Sequence, residues 1–132
     1  MGKQTNFGDA LYNGQPIKGL DVMMGRTKSG VEFAIPIYDK PQHQNSLFEE
    51  GHFLGGLNVH VSDGRVAGLQ AIFNPGDANS DVLDDTKQVR SFWRGAGIRG
   101  PASVSSGGRK VYGLVVYSDH SRIVGIQLIL KR

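Results

Sequence analysis

The chain has 132 residues, 39% of them hydrophobic, with 15 Lys and Arg against 12 Asp and Glu for a net charge of +3, and it has no cysteine. Length and composition read as a single globular domain over residues 1–132 with one core. They exclude disulfides, zinc thiolate sites and cysteine nucleophiles, and the mild, scattered charge argues against a nucleic-acid surface.

Glycine, at 19 residues, is about twice its usual share and has no collagen period, which fits the many tight turns of an all-β protein. No apolar run approaches the roughly 18 residues of a membrane helix, so no membrane partner is expected. The opening "MGKQTNFGDA" is too polar for a signal peptide, and the compartment stays open. From there "NFGDALYNG" reads as an N-terminal loop.

Next comes a strand pair. "IKGLDVMM" (17–24) alternates Leu20, Val22 and Met24 on one face, "GRTKSG" (25–30) supplies a joint, and "VEFAIPIY" (31–38) returns. Residues 39–52 are polar, contain Pro41, and read as a loop with one short strand. The second pair is "LGGLNVHV" (54–61) and "VAGLQAIF" (66–73), joined by "SDGR", whose Asp63-Gly64 is a strong hairpin signal. Residues 74–110 open as a loop, "NPGDANSDVLDD". They continue through a strand candidate, "QVRSFWRG", with Val89, Phe92 and Trp93, and end in a short strand and turn, "ASVSSGGRK". The third pair is "VYGLVVYS" (111–118) and "IVGIQLIL" (123–130), joined through "SDHSR".

The three pairs are one unit used three times. The first arms superpose without gaps on Leu20, Leu57 and Leu114, and the second arms on Val31, Val66 and Ile123. Each Leu follows a glycine, which predicts a bulge or a close backbone approach. Threefold repetition of a hairpin predicts either a β-prism of three antiparallel sheets or a β-trefoil. Trefoil repeats are evenly spaced, whereas the Gly-Leu pairs lie 37 and 57 residues apart, so the β-prism is preferred. Each of its sheets is expected to gain two strands from the segments between hairpins. Leu20, Leu57 and Leu114 are expected at equivalent buried positions.

The stretches "GLNVHVSDGRVAGLQAIF" and "GLVVYSDHSRIVGIQLIL", with the Pro36-Ile37-Tyr38 and Ser91-Phe92-Trp93-Arg94-Gly95 elements, resemble the jacalin-related lectins, which have the β-prism fold. The resemblance covers the three hairpins, about half the chain. It implies a binding module that takes glycans without cofactors. The lectins hold a hexose with a glycine-rich N-terminal loop and a Gly-x-x-x-Asp turn in the last hairpin. Here the Asp position falls on Val124 and the Gly position on His120, with Ala67 and Glu32 at the Asp position in the other copies. Any sugar site must therefore use other groups. The hairpin turns offer Asp63 and Arg65 in the second copy and Asp119, His120 and Arg122 in the third.

Other constellations carry less. Ser118, Asp119 and His120 are adjacent in sequence, and adjacency does not make a triad, so the chain reads as non-enzymatic. Asp77, Asn79 and Asp81 space oxygens like a calcium loop, but Val82 and Gln88 stand where the turn glycine and the bidentate glutamate belong. His43, His52, His60 and His120 share no ligand spacing, so no metal is expected. Trp93 is a sugar platform or, by preference, a core residue. The partners expected are a glycan or another protein, and a homo-oligomer is left open. The alternative function is a structural or protein-interaction domain on the same scaffold.

Overall fold

Alternation and turn chemistry produce what the repeat predicts, three separate antiparallel sheets arranged as a β-prism. The structure is a computed structural model that describes residues 7–25, 30–119 and 122–130. Among the described residues it contains strands and no helix. The strands are β1 (Phe7–Tyr12), β2 (Gly19–Met24), β3 (Val31–Ile37), β4 (Leu47–Phe48), β5 (His52–Ser62), β6 (Arg65–Pro75), β7 (Val89–Arg90), β8 (Arg94–Gly95), β9 (Ala102–Ser105), β10 (Val111–Asp119) and β11 (Arg122–Leu130). The hairpin β2–β3 carries β4 on its outer side. The hairpin β5–β6 carries β9 beyond β5, and β7 and β8 beyond β6. The hairpin β10–β11 carries β1 beyond β10. Among the described residues no barrel closes, and the trefoil alternative is set aside.

The glycine before each leucine has one cause, repeated three times. A Cβ on Gly19 would lie 2.5 Å from the Leu47 carbonyl oxygen, on Gly56 2.7 Å from that of Val104, and on Gly113 2.8 Å from that of Leu11. These carbonyls belong to β4, β9 and β1, the strands that flank the three first arms. A side chain at any of the three positions would push the flanking strand away.

Bulges set which residues face inward. The β5–β6 ladder shifts register between Leu54 and Gly56, and the β10–β11 ladder between Val111 and Gly113. In the first copy the Lys18 N–H donates to the carbonyl of Ile37, the residue opposite Gly19. The extra residue resets the two-residue alternation, so Ile17 and Leu20 both point inward, as do Leu54 and Leu57, and Val111 and Leu114. Further bulges at Met23/Met24, His60/Val61 and Tyr117/Ser118 occupy equivalent positions near the tips and leave Glu32, Ala67 and Val124 as the extra residues.

The core therefore consists of layers with one residue from each copy. Ile17, Leu54 and Val111, then Leu20, Leu57 and Leu114, then Val31, Val66 and Ile123 are all 0% exposed. Each such side chain contributes roughly 1.5–3 kcal/mol by leaving water. The second arms β3, β6 and β11 approach one another most closely between sheets. At the hairpin bases the copies are also tied by main chain, with Ile17 N–H donating to Val111 O at 2.8 Å and Leu54 N–H to Ile17 O at 3.0 Å. The bases thus converge at one end of the prism and the hairpin tips lie at the other.

Three expectations need correction. The N-terminal segment is not a loop from Phe7 on, because it forms β1 against β10 and completes the third sheet. The sheets do not gain two strands each: the first and third gain one, and the second gains β7, β8 and β9. "QVRSFWRG" is two short strands around a bend, and Trp93 is half-buried at the surface rather than in the core, with Gly97 backing its ring.

Candidate functional site

The tip end holds the residues singled out from the sequence. Asp63 and Gly64 have φ of 55° and 73°, the two positive values of a type I′ turn, as Asp-Gly between strands requires. Asp63 is exposed and Arg65 half-buried, and Arg65 lies near Gly30, whose backbone packs on the Val66 carbonyl. Ser62 pairs with Arg65 across one tip, and Asp119 with Arg122 across the other, so the two arginines occupy equivalent backbone positions. His120 lies outside the described residues, as do the side chains of Asp119 and Arg122. Glu32 is the half-buried bulge residue of β3. Asp63 and Arg65 are neighbours on one turn.

The base end is more enclosed. The residues three before each repeated glycine (Gly19, Gly56 and Gly113) are Pro16, Phe53 and Lys110. All three line one cleft of about 260 Å³, together with Gln15, Lys18, Tyr38 and Ala78. One equivalent position from each copy thus meets there, just outside the Ile17, Leu54 and Val111 layer. A neighbouring cleft of about 180 Å³ shares Lys18 and Phe53 as its wall and continues past Phe48, Asp39, Glu50 and His52. Both volumes fall below the roughly 300–1,000 Å³ of drug-sized pockets, so each suits a single ring or a small polar group.

The chemistry of the base centres on Phe53, which is 7% exposed. The Lys110 ammonium sits 4.1 Å from its ring centroid and that of Lys18 5.7 Å. Lys110 is 2% exposed, and its ammonium donates to the main-chain carbonyl of Asp77. A desolvated cation on a ring is worth about 2 kcal/mol, which offsets only part of the cost of burying the charge.

The loop after Pro75 is strapped over this region. Leu83 N–H donates to Gly108 O, Asp84 N–H to Pro75 O, and Lys110 N–H to Asp81 O. Within the loop, the hydroxyl and main-chain N–H of Thr86 hold the Asp84 carboxyl below its ordinary range. The Tyr112 hydroxyl donates to the Asp81 carboxylate, and that bond together with burial pushes the phenol up to about 12. Asp77 turns inward on its own loop, accepting from Asn79 N–H. Among the described residues no group of three His, Asp or Glu side chains is placed to hold a metal ion. His52 Nδ1 contacts the neighbouring Glu50 O, and His60 Nδ1 contacts Ala96 O, far along the chain beside β8.

Sequence reasoning missed the base cleft although the signal was present. The gap-free superposition that aligns the three leucines also aligns Pro16, Phe53 and Lys110, and three unlike residues at a symmetric position mark a place where the repeat was diverted from packing.

No protein family, curated protein or solved structure matches this chain.

Proposed function

We propose that the protein is a non-enzymatic binding module of the jacalin-like kind, a lectin-like domain that takes a carbohydrate by groups other than the usual Asp. The observation that carries this reading is the pair of small clefts at the prism base, which set ring edges beside carboxylates and amines. Phe48 and Phe53 offer apolar surface to sugar C–H groups. Asp39 and Glu50 accept hydrogen bonds from neighbouring hydroxyls, and Gln15 and Lys18 donate. The β-prism built from repeated Gly-Leu-x-Val hairpins supports the same reading. Neither cleft is deep, so affinity for a free monosaccharide is expected near millimolar, about −4 kcal/mol, with clustered glycans held more tightly through several weak contacts.

A glycan array followed by titration of the best monosaccharide tests this. Binding that Glu50→Gln and Lys18→Gln weaken supports the base site. Binding that Arg65→Ala and Arg122→Ala weaken instead moves the site to the tips. No binding across the array overturns the carbohydrate reading.

A second reading, a protein-interaction domain, is favoured by the outer face of the first sheet. Met23, Phe33 and Ile35 stand exposed there at 43%, 39% and 48%, with Met23 and Phe33 directly paired across β2 and β3. Isolated exposed apolar residues are ordinary, but adjacent ones on a sheet face mark contact surfaces. An array without hits combined with self-association lost in Phe33→Ser would support it.

A further inference from the structure

We infer that the larger base cleft is an oxyanion site, and that the ligand it takes carries a carboxylate or a sulfate on its sugar ring; this rests on the carbohydrate reading above. The cleft brings two ammonium groups, Lys18 and Lys110, to one ring, and none of its lining residues is acidic. Among the described residues neither ammonium forms an ion pair. Lys110 is nearly fully buried, and of its three N–H donors the Asp77 carbonyl takes one. A buried ammonium normally has a carboxylate beside it, because a lone charge out of water is expensive. Here a neutral carbonyl and a ring face stand in for one, and Lys110 lines the cleft. Lys18 adds a second positive charge from the cleft wall. An anionic oxygen that enters meets two cations in a partly desolvated setting, where charge-assisted hydrogen bonds are strongest.

The surroundings agree in sign. Of the carboxylates at this end, those of Asp77 and Asp81 accept from Asn79 N–H and the Tyr112 hydroxyl and do not line this cleft, while Asp39 and Glu50 line the other one, beyond Lys18 and Phe53. An acidic sugar can therefore place its anionic group on the two lysines and its hydroxyls toward the two carboxylates. A neutral sugar uses only the second half of that arrangement.

The test compares methyl glucuronide with methyl glucoside, which differ at a single carboxylate, and adds inorganic sulfate as a probe without a sugar. Binding is followed by calorimetry and by NMR of the lysine ε groups. The expected result is that glucuronide binds about tenfold more tightly than glucoside. Its affinity should fall as salt rises, and the Lys110 and Lys18 ε resonances should shift. Lys110→Met should remove the preference while the circular dichroism spectrum stays unchanged. Lys18→Gln, at a half-exposed position, should reduce it and keeps the test decisive should Lys110→Met fail to fold. Sulfate binding with the same lysine dependence, but no binding of either sugar, would support the oxyanion site and overturn the carbohydrate reading. Equal binding of both sugars, unaffected by the lysine variants, would overturn the oxyanion site and keep the carbohydrate reading. No lysine shift with sulfate or glucuronide up to tens of millimolar would overturn the site.

Discussion

Along the axis that relates the three hairpins, the interior and the base cleft draw on aligned positions of the same three repeats, yet the sequence treats them oppositely. In the interior the aligned positions stay within one chemistry: three leucines, two valines with an isoleucine, an isoleucine, a leucine and a valine in the layer nearest the base, and three glycines against three carbonyls. At the base the equivalent position is Pro16, Phe53 and Lys110, three chemistries in one cleft. Symmetric positions in a packed core must fill equal volumes, so they resist divergence. Symmetric positions at an open end are free of that constraint, and there a threefold scaffold can present three different groups to one ligand.

The largest effects should follow from breaking the symmetric interior. Leu57→Ala is expected to cost about 2–5 kcal/mol, since Leu57 is fully buried and its cavity would open between three sheets. Leu114→Ala should fall in the same range because it occupies the equivalent place. Urea denaturation of both variants checks this, and a loss below about 1 kcal/mol at either would mean the layers are not equivalent. Gly56→Ala comes next. Its Cβ would meet the Val104 carbonyl at 2.7 Å and the Ile72 δ-methyl at 3.5 Å, so β9 must shift, at about 1–3 kcal/mol. Hydrogen exchange of Ala102–Ser105 should speed up in that variant while β10 stays protected.

These regions also differ in how far they could be read from the chain. The hairpins and the inward faces of their strands follow from alternation and a gap-free repeat, because each is decided within one hairpin, whereas the strands that close on the three glycines come from elsewhere in the chain. Strand β1 was not legible. "FGDALY" contains Gly8 and Asp9, poor strand formers, and becomes a strand because β10, from the far end of the chain, offers an open edge. The split of "QVRSFWRG" into β7 and β8 has the same origin. Ser91 bonds backward to strand β6, its hydroxyl accepting from Ala71 N–H and its own N–H reaching Ala71 O, which bends the chain so that Phe92 is exposed. The Lys110 site depends on where the loop after Pro75 lands, which no local pattern encodes.

A smaller effect should separate the loop from the layers. In the folded protein Tyr112 keeps its proton to about pH 12, held by Asp81 and by burial. In the unfolded chain a tyrosine ionises near pH 10. Between these values the unfolded state has lost a proton that the folded state retains. The contribution of Tyr112 is therefore complete below about pH 10 and declines as pH rises toward 12. Tyr112→Phe should lose about 1–2 kcal/mol at neutral pH, and its melting temperature should fall less steeply between pH 10 and 12 than that of the unaltered protein. Melting curves across that interval, with tyrosinate absorbance followed alongside, check both parts. An identical alkaline slope in the two proteins would mean the bond to Asp81 does not anchor the loop.

The smallest effect belongs to the hairpin tip, and it tests whether the base alone meets ligand. Asp63 sits at φ 55° in an exposed two-residue turn. Asparagine tolerates that conformation and alanine pays a steric penalty for it, so Asp63→Asn should leave stability unchanged and Asp63→Ala should lower it by about 0.5–1 kcal/mol. Arg65→Ala, at the next position but one, should stay within about 0.5 kcal/mol, since it removes a half-buried side chain with no hydrogen bond among the described residues. None of the three changes touches the Lys18, Phe53 and Lys110 region, which lies at the opposite end of the prism. Glucuronide affinity should therefore be the same in all three variants as in the unaltered protein, while Lys110→Met abolishes the preference for the charged sugar. Parallel titrations of Arg65→Ala and Lys110→Met read this directly. A loss of affinity in Arg65→Ala with none in Lys110→Met would reverse the assignment of the two ends. The repeated arginines at positions 65 and 122 would then be the contact surface, used twice, and the unlike residues at the base would be a consequence of how the loop after Pro75 packs.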